Sequence, residues 1–372
     1  MKKILYMTNL PVPYKIDFFN ELGRNMNLTV VFERRTASDR EDSWLSSSFL
    51  NFNAVFMDGK EYGNEAAFCP EICSIIKKGK YDEIVVGAYY TLTGMLAIQY
   101  MKTHKISYYI SSDGGFIKDE KKIKRYIKQY FIRGAKGYFS PSKMTDKYLI
   151  YYGANEKEKI YRYPFTSLKN SDLIMKTLNN SEKQILKKKL KIAEEKIILG
   201  VGQFIPRKGW NTLMEASLNL SKKNGIYIIG GKATEEYILL KKKMNLNNVH
   251  FIDFKNKDTL KEYYHVADVF VLPTREDIWG LVINEALAYG LPVITTDKCM
   301  AGLEMIENGK NGYIIPVNDV KKLSEKLTFI LSEKDFYEEM RKRCFETAEV
   351  YTIEKMSEAY EKILQRYECS ET

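Results

Sequence analysis

Apolar runs of strand length alternate with helically spaced segments along the whole chain. KKILYMT (2–8), LTVVFE (28–33), EIVVGAY (83–89), ISYYISS (106–112) and GYFSPS (137–142) are such runs in the first part. Between them YKIDFFNELGRN, EAAFCPEICSIIKKG, TLTGMLAIQYMKTH and KKIKRYIKQYFIRGAK carry helical spacing. Near-continuous apolar strands separated by helices imply a parallel sheet with crossover helices. IYRYPFTSLKN (160–170) breaks the pattern at Pro164 and is the best hinge. Beyond it the theme repeats with KIILGVGQ, GIYIIGG, VHFIDF, VFVLPT and PVITTD as strands, and helices beginning near Trp210, Glu235, Lys257 and Leu281. From Thr352 an amphipathic pattern predicts a terminal helix. The expected class is α/β: two doubly wound domains, 1–165 and 166–350, facing a central cleft, with a helix over 351–372 returning to the first. In such sheets ligands sit beyond the carboxyl ends of the strands.

The length of 372 residues suits two cores rather than one. MKKILYMTNLPVPY has too short an apolar run for a secretion signal and reads as a first strand, and no segment is long and apolar enough to span a bilayer. Five cysteines (Cys69, Cys73, Cys299, Cys344, Cys369) are odd in number and scattered, which suits reduced thiols rather than a disulfide framework or a zinc site. The net charge of +10 is concentrated early: residues 1–165 hold 26 Lys and Arg against 18 Asp and Glu, and the remainder 32 against 30. That skew points to an anionic partner, set against a lysine-rich composition that only keeps the protein in solution.

The chemistry gathers at strand ends of the second part. GVGQFIPRKGW turns through Gly200 and Gly202 and carries Arg207 and Lys208 just before a helix, which suits a phosphate. It is neither a dinucleotide fingerprint nor a P-loop. IIGGKATEEY ends a strand in Gly230 and Gly231, either a tight turn or a close approach to a ligand. TREDIWGLVINEALAYGLPVIT delivers Glu276 and Asp277, turns at Gly280 and enters a helix near Leu281 that holds Glu285. Amides near Ile278, Trp279, Gly280 and Leu281 offer an anion the unpaired N–H groups of a helix start. Carboxylates repel phosphate, so Asp277 and Glu285 are better acceptors for neutral hydroxyls. Diphosphate on amides and cations with hydroxyls on acids describes a nucleotide sugar.

EDIWGLVINEALAYGLPVITTD, with GQFIPRKGW before it and NGYIIPVND after it, resembles the family 4 retaining glycosyltransferases of the GT-B fold, bacterial surface-polysaccharide type. The resemblance implies two Rossmann-like domains and a hexose moved from a nucleoside diphosphate sugar, with UDP favoured. It implies that Glu285 accepts the ribose hydroxyls, that Asp277 or its neighbour Glu276 holds the hexose, and that Lys208 binds the diphosphate. The family's arginine falls at Gln203, and Arg207 is expected to supply that charge. Gly302 and Glu304 match a Gly-then-Glu stretch read as structural. In the first half LPVPYKIDFFNEL resembles the family's first loop and helix, with Pro11 and Pro13 in place of a Gly-rich loop. ISYYISSDGGFIKDE places Asp113 and Gly114 where many members carry a histidine near the transferred sugar, and an Asp-Gly turn is the plainer reading of the same residues.

The donor set is therefore Gly202, Arg207, Lys208, Gly231, Glu276, Asp277, Ile278, Trp279, Gly280, Leu281 and Glu285, with Asp113, Lys208 and Asp277 nearest the chemistry and Pro13, Tyr14, Asp113 and Gly114 toward the acceptor. No cofactor or metal is expected, because no Asp-x-Asp stretch of the divalent-ion type occurs. None of His104, His250 and His265 enters the site. By resemblance the acceptor hydroxyl attacks from the face that the diphosphate leaves, and a phosphate oxygen takes its proton. KDEKKIKRYIKQYFIRGAKGY has the makeup of a helix lying on an anionic membrane or of an ordinary surface helix. With the resemblance, the expected acceptor is a lipid-linked saccharide and the expected place the cytoplasmic face of the membrane. A nucleotide-sugar epimerase of similar fold and an inactive sugar-nucleotide-binding relative are the rival readings. A nucleic-acid-binding protein is disfavoured, since no recognisable nucleic-acid motif is present.

Overall fold

The computed structural model describes residues 1–36, 48–154, 159–174 and 177–366, so Cys369 lies outside the described residues. The chain divides into two compact units, one formed by 1–167 together with 352–372, the other by 168–351.

The first unit contains β1 (Lys3–Thr8), α1 (Pro13–Leu22), β2 (Asn27–Phe32), β3 (Asn53–Phe56), β4 (Lys60–Tyr62), β5 (Ala66–Phe68), α2 (Ile72–Gly79), β6 (Glu83–Val86), α3 (Leu92–Thr103), β7 (Tyr109–Ser111), α4 (Lys122–Ile132), β8 (Gly137–Ser140), α5 (Lys143–Tyr151) and β9 (Ile160–Arg162). Seven strands pair in the order β3-β2-β1-β6-β7-β8-β9, all parallel. Ile4, Leu5, Val30, Val31, Val85 and Val86 are wholly buried, as strands covered on both faces require. Two expectations change here. EAAFCPEICSIIKKG is not one helix: Ala66–Phe68 pairs antiparallel with Lys60–Tyr62, and the helix starts only at Ile72, after Pro70. Pro70 fits the first helical turn but not its interior. Ile160–Arg162 does not merely interrupt the pattern but adds an edge strand beside β8.

The second unit contains α6 (Asn180–Lys189), β10 (Lys196–Val201), α7 (Trp210–Ala216), β11 (Asn224–Ile229), α8 (Glu235–Lys243), β12 (Val249–Ile252), α9 (Lys257–Val266), β13 (Val269–Leu272), α10 (Leu281–Ala288), β14 (Val293–Thr296), α11 (Met300–Met305), β15 (Gly312–Ile315), α12 (Val320–Ser332) and α13 (Lys334–Ala348). Its six parallel strands run β12-β11-β10-β13-β14-β15. The strand order reverses between β10 and β13, and the loops leaving the carboxyl ends of those two strands flank the crevice where such sheets bind ligands.

The last helix, α14 (Ile353–Leu364), belongs to the first unit. Thr352 caps it by accepting from the Lys355 amide, and Ile353, Met356, Tyr360 and Leu364 form its buried stripe. Tyr360 is fully buried, stacks on Phe139 with ring centroids 4.0 Å apart and shares a 2.7 Å hydrogen bond with Ser111. Among the described residues no helix is long and apolar enough to cross a membrane.

Candidate functional site

In the second unit the loops after β10, β11 and β13 converge. Trp210, wholly buried, donates its Nε1–H to the Gln203 carbonyl at 3.0 Å and lies under the turn that Gly200 and Gly202 make. A side chain at Gly230 would sit 1.9 Å from the Gly202 carbonyl oxygen, so two glycine turns from neighbouring strands touch backbone to backbone. Gly231, the residue expected to bind the donor, has φ +104 with open space around its Cβ position. Its neighbour Gly230 is the one that space dictates, and the doubled glycine was the only sign of that.

Lys208 ends the short 3-10 turn Pro206–Lys208, and its stem passes 3.3 Å from the Cβ position of Gly202. Its ammonium is 2.5 Å from Asp277 Oδ2, with both side chains only 12% exposed. Arg207 donates to the Glu276 carbonyl at 2.8 Å and to Asp277 Oδ1 at 3.3 Å. The diphosphate lysine, the compensating arginine and the sugar-side acid of the sequence reading are thus partners of one another. Both oxygens of Asp277 are engaged by cations, and the cations are held ready without sinking into an apolar wall.

The loop bearing these acids is braced by Thr274 and Arg275, to which the sequence alone assigns no role. Thr274, wholly buried, donates to the Arg207 carbonyl at 3.0 Å. Arg275 donates to Asn211 Oδ1 at 2.8 Å and Asn318 Oδ1 at 3.1 Å and also reaches the Pro206 carbonyl. The Asp277 amide donates to the Lys298 carbonyl at 2.8 Å. Ile278 is exposed, whereas Trp279 is buried, donates to Asn284 Oδ1 at 2.9 Å and has its carbonyl engaged by the Ala301 amide at 2.9 Å, so its side chain is a packing group. Gly280, at φ +102, leads into α10, and a Cβ there would come within 2.9 Å of Cys299 Sγ. Burial, reinforced by the charge of Asp277, pushes the Cys299 thiol up to about 12, which leaves it an inert packing group. Gly302 packs against Thr295, where a Cβ would lie 2.3 Å from Cγ2, in keeping with a structural role.

Leu281 opens α10; the Ile283 amide is spent on the Gly280 carbonyl at 2.9 Å, and those of Leu281 and Val282 lie ahead of that first helical bond. Glu285, one turn further on, is partly buried and accepts a 2.8 Å hydrogen bond from Tyr264 of α9. Burial raises its carboxyl above the usual range, although the Tyr264 hydroxyl works against that. No local pattern announces Tyr264, which lies 21 residues from its partner.

At the strand ends of the first unit, Pro13 occupies the first turn of α1, and the Tyr14 ring meets Phe165 edge-on at 5.6 Å. Asp113 follows β7, is 41% exposed and pairs with Lys15 at 3.5 Å; Lys15 also donates to Thr8 Oγ1 at 3.1 Å. Gly114, at φ +133, donates its amide to Ser112 Oγ at 3.3 Å. Glu33, just after β2, is buried, accepts from Thr91 Oγ1 at 2.5 Å and from the Ala67 amide at 3.2 Å, and burial raises it to about 7. Its folded value lies above the unfolded one, so the stability it contributes is complete below the unfolded carboxylate range and is lost as pH rises through about 7. Between pH 5 and pH 8 the wild type should lose roughly 2 kcal/mol more than Glu33→Gln in urea titrations; equal losses would refute the assignment. Among the described residues no group of three or more His, Cys, Asp or Glu side chains is arranged to hold a metal ion. His250 instead hydrogen-bonds Glu194 at 2.5 Å.

Glycine turns, cations and a helix start are thus gathered at the switch point of the second unit's sheet. Residues 181–349 match the family described as glycosyl transferases group 1. It is 28% identical over 194 residues to an uncharacterized glycosyltransferase of Haemophilus influenzae, covering 50% of this chain and 54% of that one. It is 23% identical over 189 residues to the N,N'-diacetylbacillosaminyl-diphospho-undecaprenol alpha-1,3-N-acetylgalactosaminyltransferase of Campylobacter jejuni, covering 51% and 50%. The chain spans about half the length of these curated relatives. The GT-B fold extends through nearly all of it: HepE of Anabaena in complex with UDP aligns with TM-score 0.79 and 13% identity over 97% of this chain and 99% of that one. Sucrose-phosphate synthase of Thermosynechococcus elongatus aligns with TM-score 0.76 and 17% identity over 98% of each.

Proposed function

We propose that the chain is a retaining glycosyltransferase of cell-surface polysaccharide biosynthesis, moving a hexose from a UDP-sugar to a lipid-linked saccharide. The observation that carries this reading is the cluster of Lys208, Arg207 and the α10 amides beside Asp277 at the β10/β13 reversal. In the reaction the bond from the anomeric carbon to the diphosphate breaks and a bond to an acceptor oxygen forms on the same face. The acceptor proton passes to a diphosphate oxygen. Charge grows on the departing diphosphate, where Lys208, Arg207 and the amides stabilise it. Asp277 or Glu276 takes the hexose hydroxyls and Glu285 those of the ribose. The solved neighbour in complex with UDP favours uridine, and the relative named for a diphospho-undecaprenol substrate favours a lipid-linked acceptor.

The test is thermal-shift screening against UDP, GDP and ADP, since a ligand that binds only the folded state raises Tm. UDP should give the largest shift, at saturation about 3 kcal/mol of added stability for a ligand at 100 times its Kd. Glu285→Ala should abolish that shift while leaving the unliganded protein folded; a full shift in the variant would remove the ribose assignment.

Placement at an anionic membrane surface is supported by α4, on which Ile123, Tyr126, Ile127 and Tyr130 are exposed beside Lys121, Lys122 and Lys124. Arg125 and Lys128 are held by Tyr151 and Glu120, which leaves the three lysines for lipid phosphates. Vesicles containing anionic lipid should float with the wild type at low salt and release a variant carrying Ile123→Ser and Tyr126→Ser. Failure of the wild type to float refutes the placement.

A further inference from the structure

At the end of the second unit's sheet opposite Lys208 and Asp277 lies a cavity of about 400 Å³. It opens where β10 and β13 begin, at Lys196 and Asp268, and α13 forms one wall with Tyr337 and Arg341. Lys196 begins the six-residue strand β10 and Gly202 follows it, which sets the two places roughly 20 Å apart.

The lining is built for an anion. Asp268 is already satisfied, accepting from the Ile197 amide at 2.8 Å and pairing with Lys183 at 2.9 Å and Lys196 at 3.7 Å. Glu338 reaches Arg341 only at 3.4 Å and is 60% exposed. Four cations, with Lys334 the fourth, therefore face two carboxylates. Arg341 Nε is buried with no hydrogen-bond partner, an uncommon condition for a guanidinium N–H. Tyr289 and Tyr337 also line the space, and burial raises both phenols, so each remains a neutral hydroxyl. Burial lowers His265 beside them, which keeps its ring neutral.

We propose that this cavity is a second ligand site, for a small phosphorylated molecule of the sugar-phosphate class. An excess of two positive charges suits a phosphomonoester dianion, and the guanidinium fork of Arg341 suits its oxygens. The volume lies within the range of small-molecule sites and exceeds what phosphate alone fills. Tyr289, Tyr337 and His265 offer polar partners to a hydroxyl-bearing body. The site is independent of the transfer reaction proposed above.

Calorimetric titration of the full chain with glucose 6-phosphate tests it, and Lys208→Ala separates it from the other end of the sheet. Saturable binding with the same Kd in wild type and Lys208→Ala, weakened about tenfold or more in Arg341→Gln, is the expected result. No saturable binding, undiminished binding in Arg341→Gln, loss in Lys208→Ala, or equal binding of glucose itself would each overturn the proposal. If Arg341→Gln fails to fold, Lys334→Gln and Tyr337→Phe take its place: each should weaken binding at least about threefold, and unchanged binding in both overturns it.

Discussion

Lys208→Ala should lower the rate of sugar transfer at saturating donor by about 10²–10³, the usual cost of removing one donor aimed at developing charge. The side chain is well placed to matter: mostly buried, aligned by the Gly202 turn and paired with Asp277 at 2.5 Å. In the resting protein the variant still leaves Asp277 a cationic neighbour in Arg207, 3.3 Å away, so it should fold with nearly unchanged Tm. A fall in kcat well beyond the rise in KM would mark a charge that counts most as the diphosphate departs. Lys208→Arg, which keeps the charge but replaces a compact ammonium by a broad planar group, should recover only part of the rate. Activity of Lys208→Ala within threefold of wild type would place the diphosphate elsewhere.

Tyr360→Ala should destabilise the first unit by about 3–5 kcal/mol, the range for truncating a fully buried aromatic. Its ring stacks on Phe139 and meets Phe18 and Tyr163 edge-on at 4.9 and 5.0 Å. The conservative Tyr360→Phe keeps the ring and removes only the hydroxyl bonded to Ser111, at a cost of about 1 kcal/mol. Urea unfolding followed by hydrogen exchange should localise the loss to residues 1–167. An unchanged midpoint in Tyr360→Ala would mean that the last helix is dispensable to that core.

The central strands were legible because buried parallel strands are written as unbroken apolar runs, and β1, β2, β10, β11 and β13 fall where those runs do. Helices α7, α8, α9 and α10 begin at Trp210, Glu235, Lys257 and Leu281, each just after a strand-end loop rich in Gly, Pro, Asn or Asp. What escaped was short and peripheral. The three-residue strands β4, β5 and β9 carry too few positions for a period to show, and Ala66, Ala67 and Phe68 read equally well as a helix. At the site, residue types were visible but pairings were not. Lys208 and Asp277 stand 69 positions apart, and only the adjacency of β10 and β13 brings them together. Tyr264 was invisible for the same reason, since its hydroxyl finds Glu285 across two helices.

The lysine–aspartate contact also bears on which anions the proposed donor site takes. A chloride ion that draws Lys208 away leaves the carboxylate with Arg207 alone, 3.3 Å away, and donates nothing in return. A pyrophosphoryl group that arrives with sugar hydroxyls attached satisfies both halves at once. On the donor reading proposed above, the pairing of Lys208 with Asp277 therefore favours a sugar diphosphate over the simple inorganic anions of a cell.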